Sequence, residues 1–232
     1  MKENHDLKNA LILIYVFAGV IALIFIMKSP LFLNELAFQN QIKLSPAHIS
    51  IDDDASIGNE NANLVVVGFF DFQDVYSRKF YTETFPEIKR DYIDTGKVRF
   101  VFRDFPNSDS AELAAQAAEC AREQGQDIAF FIIANAIVEK QNERDTGRFD
   151  QVNNKVEFTK QDLKLWAIER GYNIDNCLDT ETYKNEVLAD KQDAQQMGLT
   201  LTPSFFINQE TIIGAEPYSV FKQAIDKELA KI

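Results

Sequence analysis

The sequence is poor in the side chains that most enzymes use for chemistry. It holds only two cysteines, Cys120 and Cys177, separated by 57 positions, so it contains no C-x-x-C pair. Histidine is as scarce, with His5 and His48 alone, and no His, Cys or carboxylate cluster has the spacing of a zinc site. No glycine-rich phosphate loop is present, and no cofactor is called for. Basic residues are the minority charge: 24 Lys and Arg face 36 Asp and Glu, a formal net of −12. Residues 1–47 carry four Lys and three acidic residues. The rest of the chain is therefore the acidic part, which excludes a phosphate backbone as partner, and no basic stripe with interleaved aromatics appears.

What is present begins with Ala10 to Met27, eighteen residues without a charge or a proline. At 1.5 Å per residue such a helix spans about 27 Å, slightly short of a hydrocarbon core. Leu31, Phe32 and Leu33 extend it, with Lys28 reaching toward headgroups. The apolar run is long for a signal peptide and no A-x-A-like site follows, so it is read as an uncleaved transmembrane anchor. Lys2 and Lys8 before it balance Lys28 and Lys43 after it, so charge leaves its direction open. The reading is a tip and anchor over 1–33, a connector over 34–50 and a folded domain over 51–232.

Within that domain, 52–63 is acidic and turn-rich. Asp52, Asp54 and Ser56 start like a calcium loop, but Ile57 and Asn63 stand where Gly and Glu are needed, so a solvated loop is expected. Leu64 to Phe70 is a short β-branched and aromatic run that suits a buried strand. Asp74 is a good N-cap for a helix to about Tyr92, with Phe80, Ile88 and Tyr92 near helical spacing and a kink expected at Pro86. Val98, Phe100 and Phe102 then alternate with Lys97, Arg99 and Arg103, as a strand would. Helices are expected over 112–124, 127–141, 159–170 and 179–197, with a polar loop over 142–157. A hairpin over 204–213 and a last helix from Pro217 close the chain. The order βαβ, helical block, ββα predicts an α/β domain: a mixed sheet with helices on both faces and a helical insert over about 104–197.

Four stretches in this order resemble the DsbA-like branch of the thioredoxin superfamily. They are Val67 to Gln73 (VGFFDFQ), Gly96 to Pro106 (GKVRFVFRDFP), Ala114 to Gly125 (AAQAAECAREQG) and Gly198 to Asn208 (GLTLTPSFFIN), the last followed by Gly214 to Tyr218 (GAEPY). The resemblance covers about 51–232. It implies a thioredoxin fold, a domain outside the cytoplasmic membrane and a cis peptide bond at Thr202-Pro203. It also implies a loop there that pairs with extended polypeptide through its backbone, with Thr202, Pro203 and Tyr76 as the substrate-binding positions.

The departure from that family lies at its reactive centre. The family's two catalytic cysteines align with Asp74 and Ser77, and the residues between them with Val75 and Tyr76. Thiol–disulfide exchange needs an attacking thiolate and a second, resolving thiol, and neither Asp nor Ser supplies them. An aspartate there keeps a helix cap and an anion at a helix N-terminus. Asp71, Asp74 and Ser77 could be imagined as a hydrolytic group, but no imidazole aligns near Ser77. Cys120 and Cys177 are open to two readings: a structural disulfide or buried thiols within the insert, or a relocated redox pair. The expected function is a membrane-anchored, redox-inactive DsbA-like module that binds an extended polypeptide or an envelope protein. The alternatives are an oxidoreductase using Cys120 and Cys177, and a structural subunit of an envelope complex.

Overall fold

Strand β2 (Leu64–Phe70) forms the middle of a five-stranded sheet, because nearly every one of its side chains has a packing partner on one face or the other. The computed structural model describes residues 53–145 and 156–232. The membrane anchor and connector expected over 1–50 lie outside the described residues, as does most of the polar loop. Among the described residues, no helix is long and apolar enough to cross a membrane.

The strand order is β1-β3-β2-β4-β5, with β1 Ser56–Gly58, β3 Val98–Asp104, β4 Ser204–Ile207 and β5 Glu210–Ile213. β2 and β3 run parallel, from Leu64 opposite Val98 to Phe70 opposite Asp104, and the other pairs are antiparallel. Period-two alternation sends Leu64, Val66, Phe70, Val98, Phe100, Phe102, Phe205 and Ile207 into the larger core. Val67, Phe69, Val101 and Phe206 go into a smaller one with Ala194 and Leu199. The larger core is built on phenylalanine. Phe70 stacks on Phe102 at 4.2 Å, and Phe80 packs on Phe205 at 4.4 Å. Gly68 makes this possible, since a Cβ there would sit 2.5 Å from the Phe70 ring.

Helix α1 covers residues 75–93 and alternates α-turns (Val75–Lys79, Phe85–Ile88) with π-turns (Phe80–Thr84, Lys89–Ile93). The kink expected at Pro86 takes this form: the Phe85 N–H bonds back to Phe80 C=O, and Pro86 opens the next α-segment, where no N–H is required of it. Helix α2 (Asp109–Arg144) begins on a Ser108 cap and is two helices across a break at Gly125-Gln126, where Gln126 has φ 59°. It therefore starts three residues earlier than the spacing predicts and runs into the expected loop. Helix α3 (Lys160–Glu169) carries the Thr159–Asp162 capping box. The helix expected over 179–197 is preceded by an unexpected short helix, α4 (Asp175–Asp179), and forms as α5 (Lys184–Gln196), starting five residues later after a turn. Helix α6 (Tyr218–Leu229) is capped by Pro217.

One further expectation is corrected. The stretch taken as a solvated loop contains β1, three residues long and too short to show alternation; β3 offers it a free edge, and the Asp127 carboxylate accepts its outward Ser56 N–H at 3.0 Å. Arg103, on the second face of β3, is 1% exposed. Helix α5 covers that side of β3, and the guanidinium is neutralised there by Asp54 at 3.0 Å, Asp193 at 3.1 Å and Asp190.

Candidate functional site

The candidate site lies where α1 starts at the carboxyl end of β2, facing the turn that leads into β4. Asp74 is extended (φ −80°, ψ 126°), as an N-cap must be, and its carboxylate accepts the Tyr76 N–H at 3.2 Å and the Ser77 N–H at 2.8 Å. The Ser77 hydroxyl adds a third bond at 2.9 Å, and the Thr202 hydroxyl, 128 residues away, adds a fourth at 3.0 Å. The Thr202–Pro203 peptide bond is cis, as the resemblance implied. The Pro203 carbonyl is bonded by the Gly214 N–H at 2.7 Å, which ties this turn to the end of β5. Asp74, Ser77, Thr202 and Pro203 are thus brought together. Tyr76 is 45% exposed beside them, and Leu201 is 61% exposed on the facing turn.

Ser77 is buried, and its oxygen also accepts the Asp71 N–H at 3.3 Å, so it braces the turn. Asp71 is the second buried anchor. It accepts the Gln73 N–H at 2.6 Å and the Asn107 N–H at 2.8 Å, joining this turn to the loop before α2. Burial raises its carboxyl above the usual carboxylate range, against the lowering effect of those two donors and with a smaller raising contribution from Asp74. Around this sit Gln141, donating to the Phe72 carbonyl at 2.7 Å, Gln73, donating to the Val156 carbonyl at 3.2 Å, and Arg78 paired with Asp145. The sequence reading missed this collar and the Thr202 contact. The only local signal was a threonine directly before a proline. No imidazole or thiol is among the partners of Ser77, so the group holds its shape and offers no activated nucleophile.

Cys120 and Cys177 are bonded to each other, with 5.8 Å between their Cα atoms, and the bond joins α2 to α4 inside the helical subdomain. Neither cysteine takes part in the hydrogen bonds around Asp74. Among the described residues no cluster of His, Cys, Asp and Glu is placed to hold a metal ion.

Comparison with known proteins gives this geometry its family. The thioredoxin family model matches residues 50–227. A probable disulfide bond formation protein D of Bacillus anthracis is 31% identical over 178 residues, covering 76% of this chain and 78% of that protein. Among solved structures, oxidised BdbD from Bacillus subtilis superposes with a TM-score of 0.67 at 26% identity, covering 78% of this chain and 95% of that one. Wolbachia pipientis alpha-DsbA1 shares the fold at a TM-score of 0.67 and 22% identity, covering 79% and 94%. The βαβ and ββα halves, the helical subdomain between them and these matches together make the chain a member of the DsbA-like thiol-disulfide oxidoreductase family of thioredoxin-fold proteins.

Proposed function

We propose that this chain is a redox-inactive member of its family, held at the membrane by residues 10–27 with its folded domain outside the cytoplasm, and that it binds extended polypeptide or an envelope partner. The observation that carries the reading is the Asp74 carboxylate, which occupies the head of α1 and is bonded by Ser77 and Thr202. That position needs a thiolate for exchange chemistry, and the position three residues on needs a resolving thiol. Carboxylate and hydroxyl keep the turn, the charge and the link to the cis-proline loop, and they carry no exchangeable sulfur. The recognition surface beside them is kept. Tyr76 and Leu201 are exposed, and among the described residues the backbone N–H and C=O of Thr202 have no intramolecular hydrogen-bond partner. An extended chain passing this turn can pair with that backbone and rest its side chains on the two exposed residues.

The test uses the full chain in detergent. Insulin reduction and oxidation of a dithiol peptide are expected at the uncatalysed rate; robust turnover would overturn the reading. Binding to an array of extended peptides is expected to fall on Tyr76→Ala and Leu201→Glu, and unchanged binding would separate peptide recognition from this surface. The rival reading, a redox couple at Cys120 and Cys177, predicts turnover that disappears in the Cys120→Ser, Cys177→Ser double variant.

A further inference from the structure

We propose that this chain is itself a recipient of disulfide exchange, with Cys177 as the sulfur that first meets an external disulfide donor and Cys120 as the sulfur that resolves. The inference rests on the redox-inactive reading above, since it takes the chain's own site as unable to supply the bond. Making the Cys120–Cys177 disulfide removes two electrons from two thiols, and the sequence has no further cysteine pair whose disulfide could receive them. Another molecule must therefore take them up, and the exchange proposed requires that it be a disulfide, small or protein-borne.

The fold distinguishes the two sulfurs. Cys120 is fully buried in the alanine-rich first half of α2, among Ala117, Ala118 and Ala121, all at 0% exposure. Cys177 is half-buried on the five-residue helix α4, next to exposed Asp175 and Asn176. Cys177 is therefore the more accessible of the two to a donor, and Cys120 is shielded by the helix that carries it. A second feature keeps the two sulfurs adjacent without help from the covalent bond. Gln124, one turn past Cys120, donates to the Asn173 carbonyl at 2.9 Å and accepts the Asn173 N–H at 3.3 Å, while Ile174 and Leu178 anchor α4 in the core. This amide bracket holds the loop before α4 against α2, so the reduced pair stays poised for ring closure.

The exchange then balances in two steps. The Cys177 thiolate attacks one sulfur of the donor, the donor S–S bond breaks, and the donor's other sulfur leaves as a thiolate that takes a proton from water. Cys120 loses its proton to water and attacks Sγ of Cys177. The mixed disulfide breaks, and the donor's second sulfur leaves as a thiolate that also takes a proton from water. The donor ends as two thiols and the chain as one disulfide.

The experiment uses the full chain in detergent, reduced, freed of reductant and kept anaerobic, with oxidised glutathione as the donor, acid quenching and intact mass as the readout. In Cys120→Ser, glutathione is expected on Cys177. In Cys177→Ser, Cys120 is expected to react at least about tenfold more slowly under native conditions, and at a comparable rate in denaturant. Native reaction of Cys120 as fast as Cys177 overturns the proposal, with circular dichroism confirming that both variants are folded. Gln124→Ala, with both cysteines kept, is expected to accumulate the mixed disulfide that the parent passes through quickly; equal accumulation overturns the bracket's role. Insulin reduction is measured in parallel. Catalytic turnover there would overturn the redox-inactive reading, and the order of sulfur reactivity would still be read from the trapped adducts.

Discussion

Replacing Asp74 by alanine removes the acceptor of four hydrogen bonds at once, from Tyr76 N–H, Ser77 N–H, Ser77 Oγ and Thr202 Oγ1. Loss of the cap alone costs about 1 kcal/mol, within a usual span of about 0.5–2. The Thr202 contact is a hydrogen bond to a charged acceptor, which would contribute about 1.5–3 kcal/mol if buried. Asp74 is half-buried, so solvent screening brings that contribution toward about 1 kcal/mol. The sum, about 2 kcal/mol, corresponds to a fall in Tm of roughly 4–8 °C for a domain of this size. Asp74→Asn keeps a good capping side chain and an acceptor for Thr202, and should recover most of the loss. The cross-loop part is isolated by a double-mutant cycle with Thr202→Val, measured by urea unfolding followed by circular dichroism. A coupling of about 0.5–1.5 kcal/mol is expected. Strict additivity of Asp74→Ala and Thr202→Val would refute the claim that this carboxylate holds the cis-proline loop, and an unchanged midpoint for Asp74→Ala would refute the capping argument.

Three other outcomes follow from the same structure. Removing the disulfide with Cys120→Ala and Cys177→Ala releases a loop spanning 57 positions and should cost about 4 kcal/mol in the chain-entropy description, read as a lower thermal midpoint. Glu119 is held up to about 8, first by burial and then by the nearby Glu186 charge, against the lowering effect of Arg122. Its folded-state value lies above its unfolded one, so its contribution to stability is full below about pH 4.5 and is lost as pH rises through about 8. Glu119→Gln should flatten the stability profile across that window, and a profile of unchanged slope would contradict the assignment. Arg103→Met should destabilise by about 3–5 kcal/mol, because Asp54 and Asp190 would share a buried region without their cation, with half-exposed Asp193 at its edge, and a shift under about 1 kcal/mol would show that water already reaches them.

The two central strands were legible in the sequence, the first as a continuous β-branched and aromatic run and the second by its alternation. Leu64–Phe70 and Val98–Asp104 each run seven residues with a buried face, and both emerge as strands of the central sheet. Three-residue β1 is too short for any period to show, and its existence depends on the free edge of β3. The burial of Arg103 was not legible for a related reason. A charged residue on the second face of a strand ordinarily signals solvent, and only the packing of α5 reverses that. The late start of the helix expected over 179–197 follows from local conformation at Glu181, with φ 50°, which no spacing of apolar residues announces.

By itself the sequence determined the class of fold, the cap at Asp74, the absence of a paired dithiol and the family resemblance. All of these are properties of neighbouring residues or of counts, and helix caps, strand periods and motif spacings act within a few positions of the chain. Tertiary structure decided the bond between Cys120 and Cys177, the burial of Arg103 against α5, and the contact of Thr202 with Asp74 across 128 positions. Those pairings arise only when sheet register and helix packing bring distant segments within hydrogen-bonding or bonding distance, which no local pattern encodes.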